Sequence, residues 1–101
     1  MDWEFDGAVS SWLRKAPPGT LFLHFFVETP PEVDDFLRAH LGELTYGWGV
    51  IPARVGIGAT EVTTSLIPKD DVYLVPLKVA LRRPEGIDDG DTVRVRLSVG
   101  G

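Results

Sequence analysis

Between Thr92 and Val99 apolar and polar residues alternate without exception, Val93, Val95, Leu97 and Val99 on one side and Arg94, Arg96 and Ser98 on the other. A period of two puts one set of side chains against a core and the other in water, so TVRVRLSV predicts a half-buried strand. WEFDGAV sets Trp3, Phe5 and Ala8 or Val9 against acids and predicts a first strand with one wet face. TLFLHFFVE, rich in aromatic and branched residues, predicts a buried strand. VIPARVGIG and ATEVTTSLI predict two more, broken at Gly58 as a hairpin, and VYLVP another after the turn-forming PKDD. SSWLRKAPPGT reads as a connection whose turn is marked by Pro17, Pro18 and Gly19.

The period changes to three and four only once at length. Val33, Phe36, Leu37 and Leu41 form one apolar stripe, with Asp34, Asp35, Arg38 and His40 on the other side. Thr29 and Glu32 have the spacing of a capping box, and Pro30 suits the first helical position. Gly42 suits a left-handed cap at the far end, so the helix is expected over about residues 30–41. PLKVALRR predicts a short helical turn that Pro84 ends, and PEGIDDGD is turn chemistry. The expected fold is mainly β: a small closed or nearly closed β-barrel of five to seven strands, one α-helix covering an open side.

Length and charge narrow the picture. The chain has 101 residues, the size of one domain, so residues 1–101 are read as a single unit. It has no cysteine, which removes disulfides, thiolate metal sites and cysteine nucleophiles and fits a reducing, cytoplasmic setting. The amino end lacks the basic start and apolar run of a signal peptide, and no apolar stretch approaches the roughly 20 residues of a membrane span. The net charge is −5, with eight acids against three bases in residues 1–45 and seven against seven thereafter. Affinity for nucleic acid comes mostly from neutralised phosphates, so this balance argues against that partner.

Against that acidity, VPLKVALRRPEGIDDGD gathers Lys78, Arg82 and Arg83 before Asp88, Asp89 and Asp91. Lys78 and Arg82, four apart on a helical turn, repel slightly unless an anion lies between them, and an arginine grips an anion with two parallel bonds. Thr64 and Ser65 carry hydroxyls for the same anion. The structural alternative pairs Lys78 and Arg82 with Asp89 or Asp91 to pin the turn. Trp48, between Gly47 and Gly49, is a candidate stacking surface for a ligand. IDDGD carries only part of a calcium-loop pattern. His24 and His40 have no metal-spaced partners, and no metal or cofactor is expected. Ser65, His24 and Asp71 lack a nucleophile elbow, and no phosphate-cradling loop occurs, so no catalytic constellation is found and no enzymatic activity is expected.

In the second half YGWG (46–49), Val55–Gly58, Thr64–Pro68, Tyr73–Arg82 and Gly90–Val93 follow one another in a recognisable order. The chain resembles the bacterial family called domain of unknown function nineteen-oh-five over nearly its whole length, most specifically from Thr64 to Val93. The resemblance implies a small β-barrel, in some members joined to a bacteriocin-protection or OmpD-associated domain, and brings no activity with it. The family usually carries Trp where this chain has Val62, and often one near the place of His24.

These readings converge on a soluble, cytoplasmic, non-enzymatic binding or accessory module, a monomer or weak homodimer. Its ligand would be a small anion or a partner's acidic group held near Thr64, Ser65, Lys78, Arg82 and Trp48. The alternative is a nucleic-acid-binding regulator, because VPLKVALRRPEGIDDGDTVRV also resembles the AbrB-type transcription factors, which are swapped-hairpin barrels of shorter chains.

Overall fold

A single residue, Val9, separates two strands that lie at opposite edges of one sheet. The computed structural model describes residues 1–16, 19–44 and 50–100. In chain order the strands are β1 (Asp2–Ala8), β2 (Ser10–Ala16), β3 (Thr20–Glu28), β4 (Ile51–Ile57), β5 (Thr60–Lys69), β6 (Val72–Pro76) and β7 (Thr92–Val99). Helix α1 (Pro31–Ala39) and the single turn α2 (Leu41–Leu44) join β3 to β4, and α3 (Val79–Arg82) follows β6. The sheet order is β1-β7-β4-β5-β6-β3-β2, every pair antiparallel. Because β1 runs directly into β2, the chain joins the two edges and the sheet curls on itself. Val9 is held at the crossing: its N–H donates to the Asp91 carbonyl at 2.8 Å, and its own carbonyl accepts from the Gly90 N–H at 2.9 Å.

Where β1 approaches β3 inside the curl, Gly7 lies against Val27. A Cβ at Gly7 would overlap the Val27 Cγ1 methyl, so the closure depends on a missing side chain. The concave face is apolar as the alternation predicts: Val55, Leu66, Val75 and Val95 have no solvent exposure. One end is covered by α1, whose Val33 and Leu37 are fully buried. Phe36 packs edge-on against Trp3 with ring centroids 5.1 Å apart, and His40 stacks on Phe36 while its Nδ1 donates to the Phe36 carbonyl at 2.8 Å. The other end is crossed by residues 77–91, which put Leu77, Leu81 and Ile87 into the core. Among the described residues no helix is long and apolar enough to cross a membrane.

The hairpin expected at Gly58 forms, Ile57 pairing with Thr60 around a two-residue turn. Gly58 has φ of 59°, at the first central position, where type II′ turns take glycine.

Four expectations are corrected. Residues 10–16 are not a connection: they form β2, paired along its length with β3. Thr29 does not cap the helix, which starts at Pro31 with Pro30 in the cap position and no side-chain cap bond. Asp34 is not on a wet face but is 5% exposed. Its Oδ1 accepts from the Thr29 hydroxyl and, at 3.1 Å, from the Tyr73 N–H, while Thr29 also bonds the Tyr73 carbonyl at 3.2 Å. The Thr29 side chain is thus committed to fixing α1 on β6, which leaves it unable to serve Glu32. Finally, the helix yields at His40 (φ −119°) and Gly42 lies inside α2, so no left-handed glycine ends it.

Candidate functional site

Two of the expected site residues, Lys78 and Arg82, are positioned by the end of β6, and Thr64 and Ser65 lie on β5. Leu77 and Lys78 continue the β6 path between β5 and β3, and the Leu77 N–H donates to the Phe25 carbonyl at 2.9 Å. The chain then turns into α3, and the side chains of Lys78 and Arg82 leave in different directions. Lys78 Nζ donates to the Thr63 carbonyl on β5 at 2.8 Å. The Arg82 guanidinium lies 3.9 Å over the Phe25 ring on β3. Thr64 and Ser65, as neighbours on one strand, face opposite sides of the sheet: Thr64 is opposite buried Ala53 and Ser65 opposite exposed Pro52. These four residues therefore do not converge on one point, and Trp48 lies outside the described residues.

The acidic turn does not neutralise the basic one either. Asp91 accepts from the Asp88 N–H at 2.8 Å, and Asp88 accepts from the Asp89 N–H at 2.9 Å, so these carboxyl groups organise their own turn. Among the described residues neither Lys78 nor Arg82 forms an ion pair with them. Arg82 Nε is buried without a hydrogen-bond partner. A donor closed off in this way offers little to a ligand, and leaving it unsatisfied costs about 1–3 kcal/mol. Stacking on Phe25 and coverage by the aliphatic stem make this a packing residue. Accordingly Arg82→Met, which keeps the stem and removes the orphan donor, is expected to hold or raise stability by up to about 1 kcal/mol. Arg82→Ala is expected to lower it by about 1–2 kcal/mol, both read by urea denaturation.

A different cluster occupies the convex face of β1, β7, β4 and β5. Alternation that sends Phe5, Val95, Leu97 and Val55 inward sends Glu4, Arg94, Arg96 and Arg54 outward. The register then builds two rows across the sheet. In the first, Glu4 faces Arg96, Arg96 faces Gly56, and Gly56 faces Glu61. In the second, Asp2 faces Ser98, Ser98 faces Arg54, and Arg54 faces Thr63. Between them opens a cleft of about 450 Å³ lined by Asp2, Trp3, Glu4, Arg54, Glu61, Arg96, Leu97 and Ser98.

Most charges here already have partners. Arg94 Nη1 donates to Asp6 Oδ1 at 3.2 Å, and its Nε is 3.5 Å from Glu4 Oε1. The bond to Asp6 raises the Arg94 pKa above its ordinary value. Arg54 Nε is 3.5 Å from Glu61 Oε1, and Asp2 accepts from the Ser98 hydroxyl. Arg96 is different: among the described residues its side chain has neither an ion pair nor a hydrogen bond. Its guanidinium rests on the backbone of Gly56, where a Cβ would come within 2.5 Å of Nη2 and 3.0 Å of Cζ. Gly56 has no positive φ to demand glycine, and glycine weakens a strand interior by roughly 0.5–1 kcal/mol relative to alanine. Its fit to this place is the flat seat it gives Arg96, which leaves the five N–H donors of that fork open to the cleft.

Sequence reasoning missed this pair. The strict alternation of TVRVRLSV put Arg96 on the wet face, and a glycine inside VIPARVGIG is a signal of close approach. What the sequence withheld was the register that sets the two opposite each other.

A curled antiparallel barrel, stoppered by a helix at one end and a helical turn at the other and bearing a charged cleft on its convex side, defines the class: a small mainly-β domain. The family model described as Domain of unknown function (DUF1905) matches residues 5–97, and the chain belongs to that family. No curated protein matches it.

Proposed function

We propose that this protein is a non-enzymatic binding domain and that the convex cleft takes a small ligand through one anionic group laid on Arg96. The observation that carries this reading is the partnerless guanidinium of Arg96, seated on Gly56 where every neighbouring charge is engaged. A planar fork of this kind binds a carboxylate or phosphate through two parallel bonds. The volume of about 450 Å³ suits a metabolite-sized ligand. Asp2, Glu4 and Glu61 around the cleft oppose a polyphosphate chain, which speaks for a small ligand over nucleic acid. The domain acts in the cytoplasm, and the anion preference read from the sequence is kept while its location moves from Lys78 and Arg82 to Arg96.

The test is a titration of ¹⁵N-labelled protein with small carboxylic acids, with and without amino groups, and inorganic phosphate. At least one is expected to shift the Gly56 amide and Arg96 Nε–H signals together. Arg96→Gln is expected to weaken that binding at least tenfold, about 1.4 kcal/mol. Gly56→Ala is expected to weaken it similarly while the melting temperature holds or rises, because alanine suits the strand better and only the flexible tip of Arg96 must move. Silence of both signals across the series would remove the reading.

A further inference from the structure

We infer that the ligand of this cleft is a zwitterion whose positive and negative groups are adjacent, free α-amino acids being its smallest members. The inference rests on the reading of Arg96 given above and adds the chemical class. It begins from the first of the two rows. The Arg96 guanidinium lies over Gly56 on β4, so Glu61 on β5 is one strand away from it and Glu4 on β1 is two strands away on the other side. Adjacent strands are about 4.8 Å apart, so a group bound on the fork is one strand spacing from the Glu61 backbone and about 10 Å from that of Glu4, which makes Glu61 the nearer carboxyl group.

The charge pattern then discriminates between ligand types. The cleft is lined by three acids, Asp2, Glu4 and Glu61, and two bases, Arg54 and Arg96. A bare anion that satisfied Arg96 would also lie among the three acids, and repulsion from them opposes its entry. A bare cation could reach the same acids but would leave Arg96 unpaired beside it, and that positive charge repels it. A ligand carrying both signs a few ångströms apart meets each in turn: its carboxylate takes the fork of Arg96, and its ammonium turns to the acids. Glu61 is suited to receive that ammonium. It is exposed, its contact with Arg54 is a single one at 3.5 Å, and an ionised carboxyl group has acceptor sites to spare. Arg54 then stays on Glu61 as a second-side support, and no pairing already present needs to break. The chemistry is recognition alone, with no bond made or broken in the ligand.

The experiment uses L-alanine, N-acetyl-L-alanine, L-alaninamide and inorganic phosphate as probes, followed at the Gly56 amide and the Arg96 Nε–H. L-alanine is expected to bind at least tenfold more tightly than each of the other three. In Glu61→Gln the ratio of L-alanine to N-acetyl-L-alanine affinity is expected to fall at least threefold, with the fold intact because Glu61 is exposed. Equal binding of N-acetyl-L-alanine or phosphate in the wild-type protein overturns the zwitterion while leaving the anion on Arg96. The same holds if the ratio is unchanged in both Glu61→Gln and Glu4→Gln. Equal binding of L-alaninamide, which has no anionic group, or silence with all four probes and all the other acids, overturns this inference and the anion reading together.

Discussion

Replacing Asp34 with alanine is expected to lower stability by about 3 kcal/mol, equivalent to roughly 15 °C in melting temperature for a domain of this size. The carboxyl group is buried and its Oδ1 receives both the Thr29 hydroxyl and the Tyr73 N–H. Removing it leaves those donors with only their weaker mutual contacts at 3.2 Å, in a place closed to water. Thr29→Val, which keeps the shape and removes the hydroxyl, is expected to cost about half as much. The double variant is expected to cost clearly less than the sum, because the two groups share one bond. Urea denaturation of all three proteins measures this. A loss under about 0.5 kcal/mol for Asp34→Ala would show that α1 does not depend on this anchor.

Gly7→Ala is expected to destabilise by about 3 kcal/mol, at the upper end for an overpacked core. The new methyl would come within 2.2 Å of Val27 Cγ1, and a valine is stiff about χ1, so that methyl does not swing aside freely. Val27→Ala alone is expected to cost about 1–2 kcal/mol from lost burial. Combined, the two are expected to be more stable than Gly7→Ala alone, since the cavity made by one receives the methyl of the other. This reversal is the signature of direct apposition. If the two losses simply add, β1 does not pack on β3 at this point and the curl closes differently.

Much of the barrel is legible in the chain because strand burial imposes a period of two. TVRVRLSV, WEFDGAV and the pair either side of Gly58 each announce which face is wet, and each forms the strand expected. β2 was hidden because SSWLRKA has no clean alternation: Trp12 is 46% and Leu13 63% exposed, so neither face of that strand carries a core signal. Its partner β3 supplies the apolar residues for both. The helix was visible in its stripe, yet its start and its buried acid were not. Local spacing made Thr29 a cap, whereas a residue 44 positions away, Tyr73, decides where that hydroxyl goes.

The cleft was less legible than the fold for a related reason. Lys78 and Arg82 attract notice because they are near each other in sequence, and the structure sends them to different strands. Arg96 and Gly56 are forty residues apart and meet only through the β4–β7 register. Sequence proximity picks out clusters on one turn; a site on a sheet is drawn perpendicular to the chain.

The ladder between β1 and β7 has a consequence for how the protein is made. It joins Asp2 to Ser98, positions separated by 96 along the chain. At translation rates of about 5–20 residues per second, β1 waits on the order of five to twenty seconds for its mate to be synthesised. Throughout that interval Trp3 and Phe5 have no neighbouring strand to shelter them, and the nascent polypeptide offers chaperones an open hydrophobic edge until β7 has left the ribosome.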